Sequence, residues 1–424
     1  MRNLRCSGTI VILTVLLTST LPLSGWAQFT FITNDDNTIT ITGYTGSDNN
    51  VVIPASTNGY SVTGIAFEAF FGFTWVTSVT IPNGVDNIDS QAFAWCSGMT
   101  NVVIPNSVTN LGDWAFYDCS SLTNLVIPNG VVSLGSKVFY QCSSLSSVTI
   151  PDSVVRMGDN NFSFCSRLAS VTIGSGVTNI GVAQFGACLN LTNIAVAAAN
   201  PRYASVSRIL FNKTLTELVE CPAGFVGNYD VPNGVIFIDD SAFYYCTSLS
   251  SVTIPDSVIN IGFNGFYICS ALTNVTIGNS VTNIGGSAFR YCTNLRQTFF
   301  RGNAPLANGQ AGSSDTLIFN GETGKVYRLP GTTGWSSTFG GWSTALWYQS
   351  QPQILGSSDG LGVQSNKFQF TVSWATNTSV VIEGSTNLHD WTPVVTNALA
   401  SGTNRFSDST WTNYPQQFYR VRSQ

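Results

Sequence analysis

Cysteine returns every 23 residues along this chain: Cys96, Cys119, Cys142, Cys165 and Cys188, then Cys246, Cys269 and Cys292. Phenylalanine keeps the same interval three residues earlier, at Phe93, Phe116, Phe139, Phe162 and Phe185, then Phe243, Phe266 and Phe289. Phe70 stands one step before Phe93, so nine units carry the mark. A fixed period in this range specifies a solenoid, a propeller or a linear array. The interval is too short for a four-stranded propeller blade and fits one coil of a solenoid.

One unit, read from Cys119, shows how a coil is built. Leu122, Leu125 and Ile127 lie in a short β-rich segment that Pro128 ends, because proline has no amide to donate to a ladder. Asn129-Gly130 is a turn pair. The same corner recurs at Pro82-Asn83-Gly84, Pro105-Asn106-Ser107, Pro151-Asp152-Ser153, Pro232-Asn233-Gly234 and Pro255-Asp256-Ser257. Val131 and Leu134 then point inward, Gly135 breaks the run, and Lys137-Val138-Phe139-Tyr140 is expected to form a short helical turn. The expected class is therefore an α/β solenoid with parallel strands and short helices. About eleven coils at ~4.8 Å strand spacing would give a body roughly 50 Å long.

Three stretches depart from the beat. The step from Phe185 to Phe243 is 58 rather than 23, which places an irregular insert at about 195–230, with Asn212-Lys213-Thr214 as a hairpin turn. At the N-terminus, Arg2 and Arg5 precede an apolar run from Ile10 to Leu17, extended by Leu21 to Leu23, and Gly25-Trp26-Ala27 offers small residues around a cut after Ala27. This is the pattern of an export signal, and it is too short and too interrupted for the ~20 apolar residues of a spanning helix. Beyond about Gln353, short alternating segments such as Phe368–Val372 and Ser379–Glu383 predict a small antiparallel β-sandwich. The expected organisation is a signal peptide (1–27), a β-rich cap and first coil (28–68), repeats (69–295), an end segment (296–350) and a C-terminal module (351–424).

The motif Ala-Phe-x-x-Cys-x-x-Leu-x-x-Val-x-Ile-Pro-x-x-Val-x-x-Ile-Gly is matched throughout by Ala242-Phe243, Cys246, Leu249, Val252, Ile254, Pro255, Val258, Ile261 and Gly262. It resembles the BspA-like, or treponemal-type, bacterial leucine-rich repeat, and the resemblance covers about residues 29–295. It implies a secreted or cell-surface bacterial protein that binds or adheres, and it supplies no catalytic residues. Val326 to Trp335 looks like the end segment after the last repeat of such proteins. Ser385-Thr386-Asn387-Leu388 to Trp391 and Phe418-Tyr419-Arg420 look like a C-terminal module of large secreted proteins of the Verrucomicrobia group. Gly174 and Gly278 depart from the corner proline, Asn161 and Gln184 from the alanine before Phe, and Phe73 from the cysteine.

Composition narrows the chemistry. Only 9% of residues are charged, against about 25% in an average soluble protein, and the net charge is −5. With no basic field to hold phosphates, nucleic acid is not an expected partner. A single histidine, His389, excludes sites that need two and leaves general-base chemistry without its usual agent. No Cys-x-x-Cys occurs, so a zinc site lacks its spacing, and the eight in-register cysteines read as a buried core ladder. Removing Cys6 with the signal and adding Cys221 leaves nine, an odd number for disulfides. Acidic pairs Asp35-Asp36 and Asp239-Asp240 are short of calcium ligands.

Three stripes remain as candidate surfaces. Thr80, Val103, Val126, Thr149, Thr172, Thr253 and Thr276 occupy outward strand positions, an array that could match ice or a crystalline glycan were it not broken by valine. Asn87, Asn110, Asn179, Asn260 and Asn283 recur in another register, interrupted by Ser133, Arg156 and Phe237. Trp95, Trp114, Tyr117, Tyr140, Tyr244, Tyr245, Tyr267 and Tyr291 crowd the edge beside Phe and Cys and are the candidate ligand contacts. The expected function is a non-enzymatic, monomeric scaffold that binds protein or glycan, without cofactor, metal or membrane span. The alternatives are a structural spacer presenting the C-terminal module, or a lattice or polysaccharide-surface binder.

Overall fold

The computed structural model describes residues 28–307, 318–319, 324–347, 351–355, 361–375 and 378–424. The expected signal segment lies outside these, as do parts of the expected end segment and C-terminal module. The chain divides into two compact units, Met1–Gln184 and Phe185–Gln424. Each is built from solenoid coils in which one strand, a proline corner and a second, two-residue strand each pair in parallel with their equivalents 23 residues on.

In the first unit, Phe29–Thr33 pairs antiparallel with Ile39–Tyr44, which caps a parallel series through Tyr60–Ile65, Asn87–Ile88, Asn110–Leu111, Ser133–Leu134, Arg156–Met157 and Asn179–Ile180. The other strand face is split. Asn50–Val52, Ser78–Thr80 and Asn101–Val103 form one sheet, and Ser147–Ile150 pairs with Ser170–Ile173.

In the second unit the insert is a meander. Tyr203–Val206, Ile209–Asn212 and Glu217–Glu220 pair antiparallel, and the last pairs in parallel with Phe237–Ile238, returning the chain to the beat. The Asn212 side chain builds the second turn, accepting from the amides of Thr216 and Glu217. The opposite face is one unbroken sheet of seven strands, including Gly227–Asp230, Leu249–Ile254, Asn274–Ile277, Gln297–Phe300, Lys325–Arg328 and Trp342–Leu346. The C-terminal module follows as two antiparallel sheets around Phe370, Val372, Val380, Ile382, Leu399 and Phe406.

The core of each unit is a stack of phenylalanines, one per coil. Phe70, Phe93, Phe116 and Phe139 stack at 4.8, 5.2 and 5.4 Å, and Phe243, Phe266 and Phe289 at 4.6 and 5.0 Å. Each such pair adds about 0.5–1.5 kcal/mol beyond its buried area.

The short helices and the α/β class are corrected by the structure, which is a β-solenoid. Among the described residues the one helical element is a 3-10 turn at Trp411–Asn413. The Ala-Phe-x-x-Cys segments are runs of tight turns, because the residues two before and two after each core Phe have positive φ. Around Phe93 these are Gln91 and Trp95, around Phe116 Trp114 and Asp118, around Phe266 Asn264 and Ile268. A left-handed residue ends a right-handed helix at a cost of about 1–2 kcal/mol. What offsets it is bonding between coils: the amides of Gln91, Phe93 and Trp95 donate to the carbonyls of Asp113, Ala115 and Tyr117 one coil on. A helix would consume those amides internally and leave the coil edge unpaired. Close stacking also explains the glycine that opens most turn runs: a Cβ at Gly112 would run into the Ser90 amide of the preceding coil.

Candidate functional site

The turn run puts Phe and Cys inside and the residues beside them outside. The nine described cysteines are unbridged thiols, and all are buried. The Cys96 thiol donates to the Phe70 carbonyl at 3.1 Å, Cys119 to Phe93 at 3.2 Å, Cys269 to Phe243 at 3.1 Å and Cys292 to Phe266 at 3.0 Å. Burial pushes the Cys96 thiol up to about 12 and raises the Cys119 thiol well above its ordinary range, so neither offers a thiolate.

Many of the carboxylates accept backbone amides. Asp113 accepts from the Ser136 amide, Asp159 from Val182 and Asp240 from Phe263, each one coil on. At the proline corner Asp152 accepts from Ser175 and Asp256 from Asn279 in the same way. Asp36 accepts from the Thr38 amide and hydroxyl. Among the described residues no three His, Cys, Asp or Glu side chains gather as metal ligands. His389 is exposed in a loop that Ser385 and Asn387 tie by accepting the amides of Leu388 and Asp390. The Ser-Thr-Asn-Leu to Trp391 motif is thus a folded loop.

Of the stripes, Asn110 donates to Asn87 at 3.1 Å and Asn283 to Asn260 at 2.6 Å, on half-buried side chains. The threonine stripe is interrupted by exposed Val103 and Val126, and the strand carrying Val126 has left the ladder.

The aromatic candidates lie on the turn edge in two rows, one per unit. In the first unit Trp95 meets Tyr117 at 5.2 Å, Tyr117 stacks on Tyr140 at 5.1 Å and 7°, and Tyr140 meets Phe164 at 5.2 Å. Trp114 packs on Tyr117 at 4.7 Å and is covered by the Lys137 ammonium at 4.2 Å. In the second unit Tyr244 stacks on Tyr267 at 5.4 Å and 9°, Tyr245 packs on Tyr244, and Tyr291 meets Tyr267 edge-on beneath the Arg290 guanidinium. Rings stacked coil on coil close their faces against one another and turn edges and hydroxyls outward. The Tyr117 hydroxyl donates to Gln141 at 2.9 Å. Burial, then the neighbouring Asp118, raises the Tyr117 hydroxyl above its ordinary range, so it remains a donor.

The row's exposed end is Trp95, 45% accessible, and beside it lie rings that sequence reasoning missed. Phe67, Phe71 and Trp75 are exposed on the preceding coil, whose Gly72 amide donates to the Ala94 carbonyl one coil on. The density of rings from Phe67 to Trp75 was the available signal.

A family model described as BspA type leucine rich repeat region matches residues 63–192 and 225–310 in six copies. That is just over half of the chain, which belongs to this family. No curated protein matches it. Among solved structures, a leucine rich cell surface protein from Faecalibacterium prausnitzii is 30% identical over 64% of this chain and 86% of its own, with a TM-score of 0.50. A leucine-rich repeat protein from Eubacterium ventriosum is 25% identical over 71% and 76%, with a TM-score of 0.55. The pneumococcal vaccine antigen PcpA, 20% identical over 72% and 92% with a TM-score of 0.51, shares the fold. The family, and the cell surface protein among these structures, are consistent with a non-catalytic binding or scaffold role. No helix among the described residues is long and apolar enough to cross a membrane.

Proposed function

We propose that the chain is a non-catalytic scaffold, secreted or held at the cell surface, that binds a protein or glycan along the aromatic turn edge of its coils. The observation that carries this reading is the row running from Trp95 through Tyr117 to Tyr140, open to solvent at Trp95, with Phe71 and Trp75 exposed on the preceding coil. Exposed aromatic groups of this kind mark interaction sites more often than they fill a surface by chance. The export-like N-terminus and the cell surface protein of Faecalibacterium prausnitzii support the location. The structural employment of the acids and thiols supports the absence of catalysis.

The test is a glycan-array and whole-cell binding screen of the full chain beside Trp75→Ser and Trp95→Ser. Saturable binding weakened about tenfold or more by either substitution is expected for loss of an aromatic anchor. Binding by none of the three favours the spacer, a role that the mutually closed ring faces of Tyr117 and Tyr140 would also serve.

A further inference from the structure

A second group of rings lies on the outward strand face of the second unit, away from the turn edge. Strand register there sets Thr253, Thr276, Phe299, Tyr327 and Ala345 in one outward column. Phe299 and Tyr327 stack at 5.1 Å and 13°, and the Trp347 ring lies against Phe299 at 4.9 Å, turned by 50°. All three are half-buried, where the preceding coils carry threonine. Two residues earlier in each strand, hence on the same face, a polar column runs through Ser251, Asn274, Gln297, Lys325 and Ser343.

Basic side chains gather at the end of this face that carries the rings: Arg296, Arg301, Lys325 and Arg328 lie in or next to the strands Gln297–Phe300 and Lys325–Arg328, while the acidic Asp230 stands at the opposite end of the column, in register with Thr253. Lys325 is exposed in the polar column, directly beside the rings.

We propose that this face is a binding site for an anionic polysaccharide, a chain of carboxylated or sulfated sugars laid across the strands. The two columns run in parallel at roughly 4.8 Å per strand and bring the rings and the Lys325 ammonium side by side, so they suit a linear chain of ring sugars that carries an anion. Trp347, turned out of the Phe299–Tyr327 stack, takes the apolar face of a pyranose. The Lys325 ammonium pairs with the sugar's anion, and the Gln297 and Asn274 amides and the Ser343 hydroxyl bond its hydroxyls. An acidic peptide satisfies the charge and leaves the ring column without a planar partner. The site is separate from the turn edge, so the two readings fail independently.

Affinity electrophoresis of the full chain through polygalacturonate, neutral glucan and poly-glutamate tests this. Tyr327→Thr installs the residue the column already carries at Thr253 and Thr276, and Lys325→Gln removes the charge; circular dichroism checks their fold. Retardation by polygalacturonate alone is expected, weakened roughly fivefold or more by Tyr327→Thr. Lys325→Gln should weaken it similarly and flatten its dependence on salt. No retardation by polygalacturonate overturns the proposal, as does retardation that Tyr327→Thr leaves unchanged. Equal retardation by poly-glutamate overturns it in favour of an acidic protein partner. Loss in Trp95→Ser with Tyr327→Thr unaffected overturns it and moves the binding to the turn edge.

Discussion

The strand faces of the two units are written in nearly the same sequence and fold differently. In the second unit Ser251, Val252, Thr253 and Ile254 pair residue for residue with Asn274, Val275, Thr276 and Ile277. In the first unit the equivalent Asn124, Leu125, Val126 and Ile127 keep one bridge, Asn101 to Asn124, and the ladder stops. Val126 stands 75% exposed and Leu125 half out, while Val79, Val102, Val148 and Val171 at the equivalent position are fully buried. From Val51 to Val171 that inward position is valine in every coil but this one. Valine branches at Cβ and fills the space close to the backbone, whereas leucine branches one carbon further out, and the ladder stops at the coil that carries it. The same inward column in the second unit takes Tyr229 and Thr298 and stays paired, so departure from valine does not by itself break a ladder; the break goes with leucine at this one coil.

The largest expected effect tests whether the break loosens the core beneath it. Phe266 sits between rings at 4.6 and 5.0 Å, and Phe116, whose coil leads into the break, between rings at 5.2 and 5.4 Å. Phe266→Ala should cost about 3–5 kcal/mol, near the top of that range, and Phe116→Ala should fall near the bottom because its surroundings can collapse into the void. Hydrogen exchange, read separately in each unit, checks the difference. Equal losses would mean the break is confined to the strand. Next in size is Val275→Leu, which copies the fault into the intact sheet. Overpacking should cost about 1–3 kcal/mol, and amides of Asn274–Ile277 should exchange at rates like those of Asn124–Ile127.

Much of this was legible in the chain. The beat gives the coil, proline marks the corner, and Asn212-Lys213-Thr214 opens a hairpin turn in the structure. Two sheets replace the repeat after Gln353, as alternation in Phe368–Val372 and Ser379–Glu383 implied. The misreading of helix has a plain cause. A Phe and a Cys three apart share a face in a helix and equally in overlapping tight turns, and only the sign of φ at Gln91 and Trp95 separates the two. The candidate rings were visible as residue types, but their planes were not: whether Tyr117 offers a face or an edge depends on Tyr140 one coil away. The break was hidden because leucine for valine looks neutral in any hydrophobic pattern.

A smaller effect separates the units by pH. Asp239 stands where most coils have the turn-opening glycine, and burial raises its carboxyl to about 6, against the lowering effect of the Asp240 amide it accepts. The folded state therefore holds its proton more tightly than the unfolded chain. Stability from this group is complete below about pH 4 and lost as pH rises through about 6. Allowing for partial exposure, the loss is at most about 2 kcal/mol. Asp239→Asn should abolish that slope in the second unit and leave the first unchanged, as denaturation at pH 4 and pH 7 would show.

The smallest expected effect is the repair. Leu125→Val gives the first unit the residue its column uses everywhere else. The substitution removes a methylene that is already half exposed, so little burial is lost. In return, the backbone from Leu125 to Ile127 can rejoin Asn101–Val103 on one side and Ser147–Ile150 on the other. Each restored ladder bond contributes about 0.5–1.5 kcal/mol, less the entropy of ordering the segment, so the net gain should be about 1 kcal/mol. The sharper readout is local: amides of residues 125–127 should slow in exchange by more than the global stability changes, and Val126 should become less exposed. If those amides exchange as before, leucine is not what holds the ladder open. The cause then lies in the neighbouring Asn124 or in the corner at Pro128, and an Asn124→Ser variant, matching Ser147 and Ser170, would be the next to separate them.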